Sequence, residues 1–181
     1  MWAPDAAPKL LAEVFHGHEL APQRGSDLGG RMAAAFADAF AADAFAADAA
    51  GRVVLVGSDA PLMDGPAIDV AWDMLERRDI AIAPSYDGGY GLVGARGGLG
   101  ADMNALFHGM RWSEADVFAQ TMTRVGSLLA RRPGLTCGIL PMCYDIDAPA
   151  DVLRIEGHLR ALDLAGQPLP RHTHEALGRL R

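Results

Sequence analysis

The sequence VVLVGSDAP at residues 53–61 predicts a buried β-strand that delivers a carboxylate at its C-terminal end. Four consecutive aliphatic residues without polar alternation are typical of a strand that helices cover on both faces, as in a parallel sheet. In open α/β sheets, ligands bind beyond the carboxyl ends of such strands. We therefore expect Asp59 to lie beside a ligand, and Pro61 to end the strand because it lacks a backbone donor.

The residues that follow predict a helix and a second strand. Asp64 is a candidate N-cap, and Pro66 fits the first helical turn. An apolar stripe at helical spacing comprises Ile68, Ala71, Trp72 and Leu75. The run Ile80–Ala83 then predicts a strand, so the order strand, helix, strand indicates a parallel βαβ unit.

Two interpretations fit the glycine-rich stretch after that second strand. Asp87-Gly88 between strand-like residues is a strong signal for a hairpin turn, which explains the glycines by itself. The same turn also leaves the C-terminal end of a strand, so it would present Asp87 and Tyr90 beside Asp59. Both the structural and the functional interpretation stay open here.

A second glycine-rich stretch, residues 23–32, lies before a long alanine-rich helical pattern. Asp27 is predicted to cap that helix. Alternatively, the glycines would let the backbone approach a base or a phosphate, with Gln23 offering both hydrogen-bond donors and acceptors. Composition alone favours the capping interpretation.

The last third of the chain predicts two more helices and a strand. Ser113 is a candidate cap for a helix, with Asp116 placed as in a capping box, and Leu135–Leu140 is the predicted strand. Asp147 is predicted to cap the following helix. Two aspartates at alternate positions, Asp145 and Asp147, also leave a metal role open.

Length and composition limit the possible classes of protein. A chain of 181 residues with 50% apolar residues suits one α/β domain, which we place at residues 1–165, followed by a peripheral tail at 166–181. The net charge of −7 and the isoelectric point near 5.2 argue against a nucleic-acid partner. The absence of a signal sequence or membrane span predicts a cytoplasmic protein. The spacing of Cys137 and Cys143 and the two His-x-His pairs do not favour a metal site.

Five short motifs occur in order and together carry a family resemblance. They are Gln23-x-Gly25-x-Asp27-Leu28-Gly29-x-Arg31-Met32, Gly57-Ser58-Asp59-x-Pro61, Asp87-Gly88-Gly89-Tyr90, Trp112-Ser113 and Asp145-Ile146-Asp147-x-Pro149-x-Asp151. The chain resembles an uncharacterised bacterial family of GT-A-type glycosyltransferases, similar to 2-phospho-lactate guanylyltransferase and associated with radical-SAM or arsenosugar genes. The match covers roughly Leu20 to Leu162.

This resemblance implies a three-layer fold of the nucleotide-diphospho-sugar transferase type and a divalent metal, Mg²⁺ or Mn²⁺, on the nucleotide phosphates. It implies that Asp59 and Asp147 are the metal ligands, and that Asp87 and Tyr90 face the sugar or the acceptor as catalytic residues. The residues that it places at the nucleotide are Gln23, Gly25, Asp27, Ser58 and Asp59. The implied function is metal-dependent transfer of a sugar from a nucleotide-sugar donor to a small-molecule acceptor.

One departure from the family pattern leaves alternatives open. Family members begin with a strand and a basic loop of the form Lys-x-Pro-x-x-Gly-x-Val-Lys-Thr-Arg, and nothing similar precedes Gln23. We therefore expect an N-terminally truncated GT-A domain, whose exposed Val53–Val56 edge would favour a homodimer. The alternatives are a nucleotidyltransferase of the same fold that uses a nucleoside triphosphate, and a non-catalytic remnant that only binds.

Overall fold

A four-stranded mixed sheet with helices on both faces organises the fold in the computed structural model, which describes residues 16–43 and 51–179. In chain order the elements are α1 (Leu28–Asp43), β1 (Arg52–Val56), α2 (Gly65–Arg77), β2 (Ile80–Pro84), β3 (Tyr90–Arg96), α3 (Gly100–Phe107), α4 (Val117–Arg131), β4 (Cys137–Ile139), α5 (Pro149–Leu164) and α6 (Arg171–Arg179). The α/β class is therefore confirmed. Across the described ranges, no helix combines the length and the apolar character needed to cross a membrane.

The strand order is β1-β3-β2-β4, and the predicted mainly parallel sheet is not confirmed. β3 pairs antiparallel with both β1 and β2, and only the β2–β4 pairing is parallel. The cause is the turn at Asp87-Gly88, which folds β3 back between two strands that the sequence pattern would place side by side. β1, β2 and β4 still run in one direction, so their C-terminal ends lie along the same edge of the sheet.

The turn between β2 and β3 requires glycine at position 88. Gly88 has a φ of +96°, in the left-handed region, and a Cβ built on it would lie 2.0 Å from the carbonyl oxygen of Ala115. The Gly88 carbonyl also accepts a hydrogen bond from the Phe118 N–H at 2.8 Å. Hence the turn is pressed against the start of α4, with no room for a side chain.

This contact also explains why one predicted helix start is wrong. We expected a helix that begins at Ser113, but α4 begins at Val117, and Ser113 adopts a φ of +65°. The capping pattern at Ser113 does not determine where α4 begins, because the segment 113–116 packs against the β2–β3 turn. By contrast, two predicted caps are confirmed: Asp64 accepts from the Ala67 N–H at 3.2 Å, and Asp27 accepts from the Gly30 N–H at 2.7 Å.

The alternating side chains of β2 divide the core between the two faces of the sheet. Ile80 and Ile82 pack with α1, α3 and α4, in a cluster that includes Phe36 and Phe107. Ala81 and Ala83 face α2. The predicted stripe of α2 holds for Ala71 and Leu75, which are fully buried. Trp72 is 41% exposed instead, and its ring lies 4.6 Å from the Arg52 guanidinium.

The C-terminal stretch contributes a helix that reaches the loop after β1. Within α6, Leu177 is buried against Ile155 and Leu159 of α5. The Thr173 hydroxyl donates a hydrogen bond to the Pro61 carbonyl at 2.6 Å. This contact ties the part of the chain expected as a peripheral tail to a loop that carries Asp59.

Candidate functional site

Four carboxylates gather at the sheet edge where β1, β2 and β4 end. Asp59 follows β1, Asp87 follows β2, and Asp145 and Asp147 follow β4. Because these three strands run in the same direction, the fold brings together residues that are far apart in sequence. The Ile146 N–H donates to the Asp59 carbonyl at 3.1 Å, which joins the loop after β1 to the segment after β4.

Three of these residues form what we call the acidic triad: Asp87, Asp145 and Asp147. One carboxylate oxygen from each lies within 4.8 Å of the other two. Asp87 and Asp147 are exposed, whereas Asp145 is half-buried. Asp59 is outside this set of oxygens, although its charge is close enough to affect Asp147. Of the two predicted metal ligands, the structure thus places Asp147 within the triad and Asp59 beside it.

Hydrogen bonds from neighbouring groups fix the orientation of two triad members. The Ser85 hydroxyl donates to Oδ1 of Asp145 at 2.8 Å, and the Gly89 N–H donates to Oδ1 of Asp87 at 2.8 Å. The backbone joins these two segments as well, because the Cys143 N–H donates to the Pro84 carbonyl at 2.9 Å. The turn after β2 and the segment after β4 are therefore held as one surface.

The expected capping role of Asp147 is wrong. α5 begins at Pro149, and the side chain that receives the backbone donors is Asp151, from Ala148 at 2.8 Å and from Asp147 at 3.2 Å. These two hydrogen bonds hold the pKa of Asp151 below its usual value. An N3 aspartate that reaches back to the cap leaves the carboxylate of Asp147 free to face the triad.

Asp147 shows the electrostatic cost of gathering these carboxylates. Loss of hydration raises the pKa of Asp147 above its ordinary value, and the charges of Asp145, Asp59 and Asp87 raise it further. Within residues 16–43 and 51–179, no arginine or histidine forms an ion pair with any of the four. The nearby Arg154 pairs with Asp151 instead. The repulsion would be relieved by a bound cation.

The donor set fits a hard divalent cation. Carboxylate oxygens are the ligands that Mg²⁺ and Mn²⁺ prefer, and the triad offers no sulfur or imidazole nitrogen. Mg²⁺ usually takes one or two protein carboxylates and fills its other positions with water and phosphate oxygens. The exposure of Asp87 and Asp147 leaves room for such external ligands.

Tyr90 packs beside this site but points its ring into the core. Its ring meets Trp112 edge-on, with centroids 6.4 Å apart, and the hydroxyl has no hydrogen-bond partner among the described residues. Burial raises the pKa of Tyr90 to about 12, and the nearby Thr121 and Arg124 offset only part of that rise. The predicted role of Tyr90 toward a sugar or an acceptor stays a prediction.

The predicted nucleotide loop lies at the start of α1. Asp27 caps the helix, Gly25 has a φ of +139°, and Gln23 is exposed. Gly29 packs closely against the ring of Trp112, which links this helix to Tyr90. Ser58 is exposed beside Asp59. A role for Gln23, Gly25, Asp27 and Ser58 in nucleotide binding stays a prediction.

Two residues of the site were not among the expected site residues. The only signal for Asp145 in the sequence is its alternation with Asp147. Ser85 had no signal, because its role depends on a contact with Asp145 across 60 positions of sequence. The sequence predicts Asp87 at the site beside Asp59, and the structure places it with the carboxylates that follow β4.

Comparisons with known proteins agree with this geometry at the level of family and fold. The family model described as "uncharacterized protein conserved in bacteria (DUF2064)" matches residues 1–114, so the chain belongs to that family. A crystal structure from Desulfovibrio desulfuricans G20, described as a "putative nucleotide-diphospho-sugar transferase", is 34% identical with a TM-score of 0.67. The match covers 88% of this chain and 62% of that one, so this chain spans less than two thirds of its length. No curated protein matches the chain.

Proposed function

For this DUF2064 chain with a nucleotide-diphospho-sugar transferase-like fold, we propose metal-dependent transfer of a sugar from a nucleotide-sugar donor to a small-molecule acceptor. The observation that carries the proposal is the acidic triad with Asp59 at the shared end of β1, β2 and β4. Because these carboxylates form no ion pair with any described arginine or histidine, the site is suited to a metal ion that binds phosphates.

In this proposal, Asp147, Asp145 and Asp87 hold Mg²⁺ or Mn²⁺, and Asp59 supports them from the loop after β1. When bound, the cation would neutralise charge that develops on the departing diphosphate. The chain's own residues position the site: Ser85 orients Asp145, and the Gly89 N–H orients Asp87. The stretch around Gln23 and Gly25 would approach the base, and Ser58 would approach the phosphates.

The test is calorimetric titration of the whole chain with nucleoside diphosphates, with and without Mg²⁺. We expect binding that requires the metal, and we expect Asp59→Asn to weaken it while the melting temperature stays unchanged, because the change removes charge and keeps shape. Asp73→Asn is the matched control, since Asp73 is an exposed aspartate on α2. Equal binding by Asp59→Asn and the parent would remove Asp59 from the site.

Product analysis separates the proposed activity from its alternatives. Incubation with a nucleotide sugar and Mg²⁺ should release a nucleoside diphosphate. Release of pyrophosphate from a nucleoside triphosphate would instead assign a nucleotidyltransferase. Metal-dependent binding without either product would assign a protein that binds without turnover.

A further inference from the structure

An apolar cavity of about 220 Å³ lies on the α2 side of the sheet, next to the loops that carry the carboxylates. Leu62 and Met63, which line it, follow Asp59 in the chain, and Met142, Cys143 and Tyr144 lead directly into Asp145. The remaining wall comes from α2, the sheet and α5. The cavity and the acidic triad are thus built from the same two connections.

The lining of the cavity excludes phosphates and favours a neutral apolar group. Among the described residues, no aspartate, glutamate, lysine or arginine lines it, and the lining residues with polar side-chain groups are His158, Tyr144 and Cys143. Burial raises the pKa of the Cys143 thiol, so that group is neutral at physiological pH. Burying charged groups in such surroundings is costly, whereas apolar groups gain from it.

The cavity opens to solvent, as a ligand site must. Two of its apolar residues are unusually exposed, with Val70 at 49% and Met142 at 58% of their full accessible area. These two side chains come from different elements, one from α2 and one from the segment after β4. A small molecule can therefore enter without any movement of the sheet.

Tyr144 stands between the cavity and the acidic triad. It lines the cavity, its ring contacts His158 at 5.6 Å between centroids, and it stacks on Tyr86 at 6.1 Å. Tyr86 is 60% exposed and directly precedes Asp87. A ligand that fills the cavity would therefore lie near Tyr144, which precedes Asp145 in the chain and stacks on the residue that precedes Asp87.

We propose that this cavity is the acceptor subsite and that the acceptor is an alcohol with a small apolar body. This inference rests on the proposed transferase function. The cavity is smaller than the roughly 300–1,000 Å³ of typical ligand pockets, so it suits one ring or a short aliphatic chain. Because the lining is apolar, the diphosphate of the donor would bind at the acidic triad, and the acceptor would bind in the cavity.

The chemical step balances with groups that the two substrates and the solvent supply. The acceptor hydroxyl oxygen forms a bond to the anomeric carbon of the donor, and its proton passes to solvent water. The bond from that carbon to the diphosphate breaks, and the nucleoside diphosphate leaves with the electron pair. No oxidant or reductant is needed.

Straight-chain primary alcohols from butanol to decanol are suitable probes, and ligand-observed NMR on the whole metal-free chain measures their binding. We expect affinity to rise about fourfold for each added methylene and to level off when the cavity is full. A carboxylate of equal chain length should bind more weakly, because the acidic triad repels it. Absence of saturable binding, or a rise with no plateau, would overturn the proposal.

Cavity-filling variants locate the binding. Ala67→Phe places a ring in the cavity from α2, and Ala130→Phe makes the same change at an exposed position of α4. We expect Ala67→Phe to weaken binding of the best alcohol about sixteenfold, the change expected from losing two buried methylenes at about fourfold each, and Ala130→Phe to have no effect. Met142→Lys, at the exposed rim, should also weaken binding and serves if Ala67→Phe does not fold.

Nucleotide titrations of the same samples separate this inference from the proposed function. If Ala67→Phe loses alcohol binding but keeps metal-dependent nucleotide binding, the result supports both the proposed function and the acceptor subsite. Nucleotide binding by the parent without alcohol binding overturns the acceptor subsite alone. Alcohol binding that weakens as protein concentration rises would show that a second copy of the chain fills the cavity, and this outcome would also overturn the proposal.

Discussion

At the N-terminal end of β2, the carboxylate of Asp79 accepts hydrogen bonds from the Thr136 N–H and hydroxyl, each at 2.8 Å. At the C-terminal end of the same strand, Asp87 lies within 4.8 Å of two other carboxylates. Asp79 is also fixed through its backbone, since its N–H donates to the Thr136 carbonyl and its carbonyl accepts from Arg96. The aspartate at the start of β2 is thus hydrogen-bonded within the sheet, whereas the aspartate after its end lies among other carboxylates.

The difference distinguishes a structural role for Asp79 from the proposed functional role of Asp87. The partners of Asp79 tie the start of β2 to the start of β4 and to the end of β3, so the carboxylate is part of the sheet's own bonding. At the other end, Ser85 and the Gly89 N–H only orient the carboxylates, and their mutual repulsion is left uncompensated by any described cation. A raised pKa, such as that of Asp147, is typical of functional sites.

The largest effect is expected when two carboxylates of the functional end are neutralised together. The double variant Asp145→Asn/Asp147→Asn should lower metal-dependent transfer at least about a hundredfold, equivalent to about 2.7 kcal/mol of transition-state stabilisation. Its melting temperature should match or exceed that of the parent, because repulsion is removed. Steady-state assays with a nucleotide sugar and thermal melts check both parts, and a variant with unchanged transfer would contradict the account.

Substitution of Asp79, at the start of β2, should lower stability and leave metal binding unchanged. Asp79→Ala removes the acceptor for both Thr136 donors and should lower the free energy of unfolding by about 1–3 kcal/mol. Affinity for Mg²⁺ should stay the same. Urea unfolding measures the first quantity and calorimetry the second, with Asp73→Ala as a surface control expected within about 0.5 kcal/mol of the parent.

A smaller effect is expected from the residue that orients Asp145. Ser85→Ala removes one hydrogen bond to the carboxylate and should weaken Mg²⁺ binding about tenfold, as changes behind a metal ligand usually do. Ser85→Thr keeps the hydroxyl and should recover part of the affinity. If the alanine variant binds Mg²⁺ as well as the parent, Asp145 does not act as a ligand.

The smallest effect concerns pH. Because the fold raises the pKa of Asp147, the folded protein holds this proton more tightly than the unfolded chain does. Stability from this group is present below the ordinary value of 3.8 and is lost as pH rises through the raised pKa. In metal-free protein, Asp147→Asn should therefore gain stability over the parent as pH rises, by less than about 1 kcal/mol after solvent screening. Saturating Mg²⁺ should abolish the gain.

Local patterns were sufficient for most elements of the fold but not for the order of the strands. The caps at Asp27 and Asp64 depend on contacts between near neighbours, and they are confirmed, as is the burial of Ala71 and Leu75 in the stripe of α2. The position of β3 depends on which strands pair, and periodicity carries no information about that. Ser113 shows the same limit, since a contact with Gly88 overrides its capping signal.

The candidate site divides in the same way. A carboxylate after a buried strand could be identified from sequence, and Asp59, Asp87 and Asp147 do meet at one edge of the sheet. The place of Asp145 in the acidic triad and the hydrogen bond from Ser85 to Asp145 could not be predicted from sequence. Both depend on the register between β2 and the segment after β4. The roles of the glycine-rich loop before α1 and of Tyr90 stay predictions.

The most direct test of the central claim is Mn²⁺ binding to the whole chain, measured by electron paramagnetic resonance of the free ion. We predict a saturable site in the parent and in Asp79→Asn, and at least about tenfold weaker binding in Asp87→Asn. The last change keeps the turn, since Asn-Gly suits a hairpin as well as Asp-Gly does, so its melting temperature should be unchanged. Equal Mn²⁺ affinity in the parent and in Asp87→Asn, or no saturable binding at all, would contradict the account.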